Sequence, residues 1–542
     1  MEDPSKRLSF PRGVINLRCR FTGACQLRKM EVNAGVVAAA ILVLCTWRFL
    51  NLMWFQPKKM EKLLRAQGLN GNSYRFMYGD MKEMAQMTIQ AKSKPIGLKD
   101  DIVPRVLPFV HKSVATYGKI CFTWMGRKPM VHIAEPTMIK EILANYYQFR
   151  RLRGGNPLIK MLTKGLVDVE GDQWVKHRKI INPAFHIEKL KHMVPAFYVS
   201  CNEMINKWEN LLVGESSCEV DVWPYLQTMS SDVISRTAFG SSSEEGRKIF
   251  ELQHEMIGLI MKSMRSTYIP GSMFLPTKRN KRMKEIEQKV KATIRSIIDR
   301  RVAAMKAGES NHNDLLGILL NSNYEETKQG MNKKSGLSIE EIIEECKLFY
   351  FTGQETTRDL LVWTMVLLGQ YTNWQASARD EVLQVFGDKK PDFEGLSRLK
   401  VVNMIFNEVL RLFPPGPYLG RVVHKETKLG NIMLPAGTFL QMNIILLHYD
   451  CDIWGDDAKE FNPQRFSEGV LHVTKGQASY LPFGGGPRIC IGQSFAMLEA
   501  KMALVMILQR FSFEISPSYS HAPHIVFTLQ PQFGAQLILH RL

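Results

Sequence analysis

Ten residues, Phe483-Gly-Gly-Gly486-Pro-Arg488-Ile-Cys490-Ile-Gly492, constrain this chain more than any other stretch, because together they build a pocket around one sulfur. A glycine-rich turn runs into Cys490, and apolar residues at helical spacing follow from Gln493 to Phe511. Cys490 is therefore expected at a helix N-terminus, where unpaired backbone N–H groups and the positive dipole end favour an ionised sulfur. Gly484, Gly485 and Gly486 allow a turn tight enough to aim amides at it. Phe483 can shield the sulfur from water, Arg488 offers a cation, and Gly492 leaves room for a flat ligand. A thiolate so held suits axial ligation of a haem iron. The competing reading is a buried, inert thiol after a glycine turn.

A second string is Thr352-Gly353-Gln354-Glu355-Thr356-Thr357. Glycine inside a helix costs about 1 kcal/mol relative to alanine, and threonine hydroxyls can divert backbone carbonyls. The pattern predicts a local distortion that opens a groove; the alternative is a strained core helix with Glu355 in an ordinary salt bridge. In Glu408-Val-Leu-Arg411 the spacing puts both side chains on one helix face, and Pro414-Pro415 ends that helix soon after. Trp174 and Arg178 also share a face and can both reach one carboxylate.

Taken in order, these strings resemble the signatures of the cytochrome P-450 haem-thiolate monooxygenases. The cysteine loop matches Phe-x-x-Gly-x-Arg-x-Cys-x-Gly at every fixed position, and Phe461-Asn-Pro-Gln-Arg465-Phe466 completes a Glu–Arg–Arg cluster with Glu408 and Arg411. The likeness runs from Tyr117 to Leu542. Within the superfamily the chain looks most like the plant clan that includes secologanin synthase. That likeness rests on Trp54-Phe-Gln-Pro-Lys-Lys59, Gly71-Asn-Ser-Tyr-Arg-Phe76, Asn182-Pro-Ala-Phe-His186 and Gln530-Pro-Gln-Phe-Gly534.

The resemblance implies a mainly α fold with small β-sheets, the cytochrome P-450 fold, preceded by a single N-terminal membrane anchor helix. It implies haem b (iron protoporphyrin IX) with Cys490 as the metal ligand, and Trp174, Arg178, Arg421, Phe483, Arg488 and Gly492 around the cofactor. Thr356 would be the catalytic hydroxyl that supports proton delivery to dioxygen, with Glu355 as the acidic relay beside it. Glu408, Arg411 and Arg465 would be structural. One position departs from the pattern: Thr352 stands where Ala or Gly is usual, so the groove can be narrower or carry an extra hydrogen bond.

Composition fits a large folded enzyme, with 542 residues, 45% of them hydrophobic. The nine cysteines form no CxxC pair, so neither a zinc nor a disulfide scaffold is suggested, and their odd count and irregular spacing fit reduced thiols. A net charge of +19 suits an anionic membrane surface or an acidic protein partner. Neither a basic block interleaved with aromatics nor a zinc-finger spacing accompanies it, so nucleic acid is not expected as a partner.

Residues 32–55 are mostly apolar and read as a transmembrane anchor, with Arg48 able to snorkel and Trp47 and Trp54 at the interface. Lys58, Lys59, Lys62 and Arg65 follow, which puts the remainder on the cytosolic side. The proline-rich hinge usual after such an anchor is reduced to Pro57. Residues 1–29 carry seven basic residues against Glu2 and Asp3. They read either as part of a targeting peptide or as lying upstream of a true start at Met30.

Tyr117 to Ile133 reads as two strands around a turn, Glu135-Pro136 opens a helix, and residues 307–336 read as a polar surface loop. Ser338-x-x-Glu341 is a capping box that starts the helix bearing Thr356. Residues 56–542 are thus expected to form one haem-thiolate catalytic domain.

The expected activity is hydroxylation of a lipophilic small molecule, an isoprenoid such as a triterpenoid, a diterpenoid hormone or an iridoid. No Gly-rich nucleotide fingerprint follows a strand, so electrons should come from a partner reductase; the resemblance implies NADPH and a cytochrome P-450 reductase, at the endoplasmic reticulum membrane. Expected pocket walls are 152–165, 257–274, Phe349, Phe351, Pro417-Tyr418-Leu419 and Phe533-Gly-Ala535. Two rivals are a haem-thiolate isomerase or dehydratase that needs no external electrons, and a membrane-tethered haem sensor.

Overall fold

Apolar residues between Ile120 and Ile133, interrupted by Gly126-Arg127, form the expected hairpin. Strands β2 (Ile120–Met125) and β3 (Lys128–Ile133) pair antiparallel with Phe122 opposite Val131. The structure, a computed structural model, describes residues 36–151, 157–240, 243–264, 275–308, 314–328 and 336–542. The basic extension 1–29 and the start of the apolar segment at Val32 lie outside the described residues.

The hairpin belongs to a six-stranded sheet ordered β1-β2-β3-β9-β6-β4, with β1 at Asn70–Gly71, β4 at Phe149–Arg151, β6 at Leu419–Val423 and β9 at Phe439–Met442. A three-stranded sheet joins β5 (Ser217–Asp221), β10 (Phe511–Ile515) and β13 (Gln536–Arg541). Two small ribbons, β7 (Thr427–Leu429) with β8 (Ile432–Leu434) and β11 (Pro523–Ile525) with β12 (Leu529–Pro531), complete the β structure. Everything else of size is helical, so the mainly α reading holds.

The helix Ile339–Gln370, here called the central helix, starts at the expected capping box. The Ser338 hydroxyl accepts from the Glu341 N–H at 3.2 Å, and the Glu341 carboxylate accepts from the Ser338 N–H at 2.8 Å. Its length, about 48 Å at 1.5 Å per residue, carries it through the whole body. Aromatic stacking fixes it on two sides, Tyr350 on Phe239 at 4.1 Å and Trp363 on Phe413 at 4.4 Å.

One expectation is corrected. Part of the segment read as a polar loop is a helix, Leu315–Lys328. Leu315, Leu316, Leu319 and Leu320 bury one face of it, an i, i+1, i+4, i+5 spacing that the polar flanks disguise. Residues 309–313 and 329–335 of that stretch lie outside the described residues.

Glu408 and Arg411 of the Glu–Arg–Arg cluster are fully buried and hydrogen-bonded, while Arg465 Nε has no hydrogen-bond partner. Arg411 spends its five N–H groups on Glu408 (2.8 and 2.7 Å) and on the carbonyls of His448, Ala458 and Glu460 (2.7, 2.5 and 3.1 Å). Arg465 lies 3.7 Å from Glu408 and pairs with Asp457 at 2.7 Å. His448 donates from Nδ1 to the Arg411 carbonyl at 2.9 Å, and its Nε2 accepts the Leu481 N–H at 3.0 Å. Burial pushes its pKa down to about 3, so the ring stays neutral and keeps that tautomer. The chain Glu408–Arg411–His448–Leu481 therefore reaches the cysteine loop and sets its position.

The apolar segment is one helix, Val36–Ala66, long and apolar enough to cross a membrane. Its first fifteen residues are exposed throughout. No hinge interrupts it at Pro57; a π-helical turn, Asn51–Phe55, runs directly into the next helical segment, which has Pro57 in its first turn. Proline lacks an N–H, and the carbonyl four residues before it, Met53, takes a side-chain donor instead. Trp54 packs on Tyr74 at 6.0 Å and on Phe76 at 6.2 Å, and the Tyr74 hydroxyl donates to the Met53 carbonyl at 2.5 Å.

Candidate active site

Glycine geometry shapes the cysteine loop first. Gly486 has φ +65°, and a Cβ there would lie 2.4 Å from the Leu143 carbonyl oxygen. Only glycine lets the turn press on the helix Pro136–Ala144. The Cys490 N–H then donates to the Phe483 carbonyl at 2.9 Å, closing the loop, and Phe483 is half-buried. The helix Gln493–Arg510 follows with Gly492 as its cap, so Cys490 sits just ahead of a helix N-terminus, as expected.

Cys490 is exposed, yet it is so surrounded by protein that burial pushes its thiol pKa up. Both hold together for a side chain that lines an internal space. The Gly492 amide and the cations of Arg178 and Arg151 pull the value the other way. Ionisation of the sulfur is thus opposed by desolvation, which sequence spacing does not reveal.

Arginines surround the sulfur. Arg178 donates to the Ile489 carbonyl at 2.8 Å, and Arg488 lies over the Trp174 ring at 4.6 Å while pairing with Glu170 at 2.7 Å. Trp174 and Arg178 lie one turn apart on the helix Gly171–Ile181, and the Trp174 ring also backs the Arg488 guanidinium. Arg421 on β6 is 3% exposed, and its Cα partner in the β4 ladder is Arg151. Like charges directly opposite on paired strands are destabilising. Burial, with Arg151 and Arg488 nearby, lowers Arg421 to about 9, and its Nε has no hydrogen-bond partner. Arg488 falls to about 10 mainly through burial, and its Nε is also unpartnered.

Of carboxylates, only Glu170 acts on both Arg421 and Arg488, among the described residues. A flat group with two carboxylates and a metal for the sulfur would satisfy this excess of cations, so the residues fit a haem. Gly492 fits as well: a Cβ there would meet nothing closer than Phe185 at 4.0 Å. Arg151 was not singled out by motif; its signal is the strand register that sets it against Arg421.

The central helix supplies the opposite wall. From Ile342 to Gly369 every residue is buried except Thr352, Gly353 and Thr356. An i, i+1, i+4 strip of accessibility inside a buried helix is a groove lined by that face. The helix does not break there. Thr352 donates to the Leu348 carbonyl and Thr356 to the Thr352 carbonyl, each at 2.9 Å, as the diverted-carbonyl reading requires. Gly353 admits a neighbour: a Cβ there would lie 2.9 Å from Ile234 Cδ1. Phe185 joins the two walls, stacking on Phe349 at 5.6 Å and packing edge-on to Phe495 at 6.3 Å.

Glu355 is buried and held by Arg358, whose Nη1 and Nη2 lie 3.2 and 3.0 Å from its oxygens. This is the salt-bridge arrangement, one residue from Thr356. Among the expected walls, Tyr418 and Phe533 are exposed, Phe351 packs edge-on to Phe527 at 5.6 Å, and Ala535 is buried with its N–H on Asp221 at 2.9 Å. Residues 152–156 and 265–274 lie outside the described residues.

Comparison with known proteins agrees with this geometry. The family model Cytochrome P450 matches residues 106–533. Cytochrome P450 CYP72A219 of Panax ginseng is 61% identical over 95% of this chain and 99% of its own length. The 7-deoxyloganic acid hydroxylase of Catharanthus roseus is 53% identical over 95% of this chain and 100% of its own. A solved cyanobacterial CYP120A1 with retinoic acid bound shares the fold at TM-score 0.72 and 22% identity, covering 88% of this chain and 99% of that one. The chain belongs to the cytochrome P450 family and is a haem-thiolate monooxygenase of a plant clan.

Proposed function

We propose that this monooxygenase is anchored in the endoplasmic reticulum membrane by residues 32–55, with residues 56–542 as a cytosolic catalytic domain. In this reading it hydroxylates a lipophilic isoprenoid, using O2 and electrons from NADPH through a cytochrome P-450 reductase. Haem b would be held by Cys490 through its sulfur, with Arg151, Arg178, Arg421 and Arg488 taking the carboxylates. When bound, the haem supplies the activation of oxygen and its insertion into a C–H bond.

The chain's own residues prepare that chemistry. Thr356 keeps a hydroxyl in the groove, where Oγ1 can hold a proton beside the Thr352 carbonyl. Glu355, buried one residue earlier, is the nearest acid on that helix. Apolar walls around Phe349 and Phe351 exclude water and orient a greasy substrate. The observation that carries the reading is the accessible strip Thr352, Gly353 and Thr356 on an otherwise buried helix. The relative named 7-deoxyloganic acid hydroxylase supports an iridoid among the three substrate classes.

The test is turnover of a panel of triterpenoids, diterpenoids and iridoids by the holoenzyme with reductase and 18O2. The expected result is NADPH-dependent product carrying one labelled oxygen. Turnover without NADPH would indicate the isomerase or dehydratase instead.

A further inference from the structure

Arg358 and Asp359 follow directly on the groove strip and take no part in the family signatures above. Arg358 is 1% exposed and Asp359 is 0% exposed, and with Glu355 they bury two carboxyls against one cation. The donor is over-subscribed. Arg358 Nη2 carries two N–H groups but faces three acceptors: Glu355 Oε2 at 3.0 Å, Asp359 Oδ1 at 2.7 Å and Gln530 Oε1 at 2.9 Å. Nε goes to Asp359 at 2.9 Å and Nη1 to Glu355 at 3.2 Å. Trp223 covers the guanidinium at 5.2 Å. The Thr528 hydroxyl lies beside Asp359 and favours its charged form.

Two buried carboxyls that share one guanidinium cannot both ionise at low cost. Burial raises Asp359 to about 7 against the pull of Arg358, with Glu355 raising it further. Among the described residues, the charged groups that act on Asp359 are Arg358 and Glu355 on its own helix, and the turn between β11 and β12 adds the neutral Thr528. Gln530 of that ribbon binds Arg358 instead.

We propose that Asp359 is a positioning residue for oxygen activation: its proton decides whether Arg358 is shared or belongs to Glu355 alone. With Asp359 protonated, Arg358 clamps Glu355 away from Thr356. When Asp359 releases its proton to solvent, its carboxylate draws Arg358 and loosens Glu355 toward the groove. The proton balance is simple, because one proton leaves Asp359 and no bond to oxygen or carbon changes. This inference rests on the reading of Glu355 as the acid that serves Thr356.

The test uses the full-length holoenzyme with reductase, measuring product formed per O2 consumed from pH 6 to pH 8. Wild type should gain coupling several-fold as pH rises through about 7. D359N, fixed neutral, should stay poorly coupled and lose the inflection; D359E should regain a pH-dependent rise. Independently of turnover, infrared difference spectra should show a protonated carboxyl band in wild type that titrates near neutrality and is missing in D359N. E355Q separates the two ideas. If E355Q couples like wild type at all pH values, Glu355 is not the relay and the parent reading fails. If E355Q is uncoupled but D359N keeps the wild-type inflection, or the carboxyl band does not titrate, the role of Asp359 is overturned.

Discussion

At the scale of single residues, the site is built by groups that lack partners as much as by groups that have them. Arg421 faces Arg151 across a strand pair and leaves Nε unpaired in a buried setting. Like charges so placed are destabilising, and an anion between them would relieve the cost. Arg151→Ala and Arg421→Ala should therefore each speed haem loss to apomyoglobin, while the carbon monoxide complex of the remaining holoenzyme keeps its thiolate-type band. Gly486→Ala should destabilise the fold by more than about 1 kcal/mol, because a positive φ and a carbonyl at 2.4 Å both oppose a side chain. Thermal denaturation would check it. Cys490, Arg488 and Thr356 were legible because their spacing is local. Arg151 was not, because its meaning comes from register with a strand far along the chain. The Arg358 clamp on Glu355 was legible only as an alternative, since an i, i+3 pair cannot reveal its burial.

At the scale of elements, one helix and one polar relay organise the chemistry. The relay from Glu408 through Arg411 and His448 to Leu481 couples a helix to the cysteine loop with every Arg411 N–H used. Glu408→Gln leaves a buried guanidinium without its charge partner and should cost about 3–5 kcal/mol. The expected readout is loss of correctly ligated holoenzyme on purification, with some folded apoprotein remaining. The strand hairpin and the capping box were readable from alternation and from Ser338-x-x-Glu341, both short-range signals. The helix Leu315–Lys328 was masked by polar neighbours, and burial of its leucines outweighed local composition. Gly353 read in sequence as a source of local helix distortion, and in the structure it serves as a slot for Ile234.

At the scale of the whole molecule, buried histidines set the acid limit of the fold. Burial lowers His132, His521 and His524 to about 4 and His448 to about 3, against an unfolded value near 6.5. The unfolded chain therefore binds more protons below pH 6.5, and stability falls as pH drops toward those native values. Glu499 and Asp359, raised by burial to about 8 and about 7, and Asp80, also raised by burial, act in the opposite sense above their unfolded values, but four histidines outnumber three acids. The urea midpoint should thus fall between pH 6.5 and pH 4.5; an unchanged midpoint would contradict the burial of these rings. The apolar helix was legible as an apolar run, whereas its aromatic seat on Tyr74 and Phe76 needs three-dimensional neighbours.

The central claim is a bond between the Cys490 sulfur and haem iron, and the carbon monoxide difference spectrum of the reduced protein tests it most directly. Wild type is expected to show the thiolate-type absorption band, and Cys490→Ala is expected to lose it. An unchanged band in that variant, or a wild-type protein that purifies without porphyrin, would contradict the account.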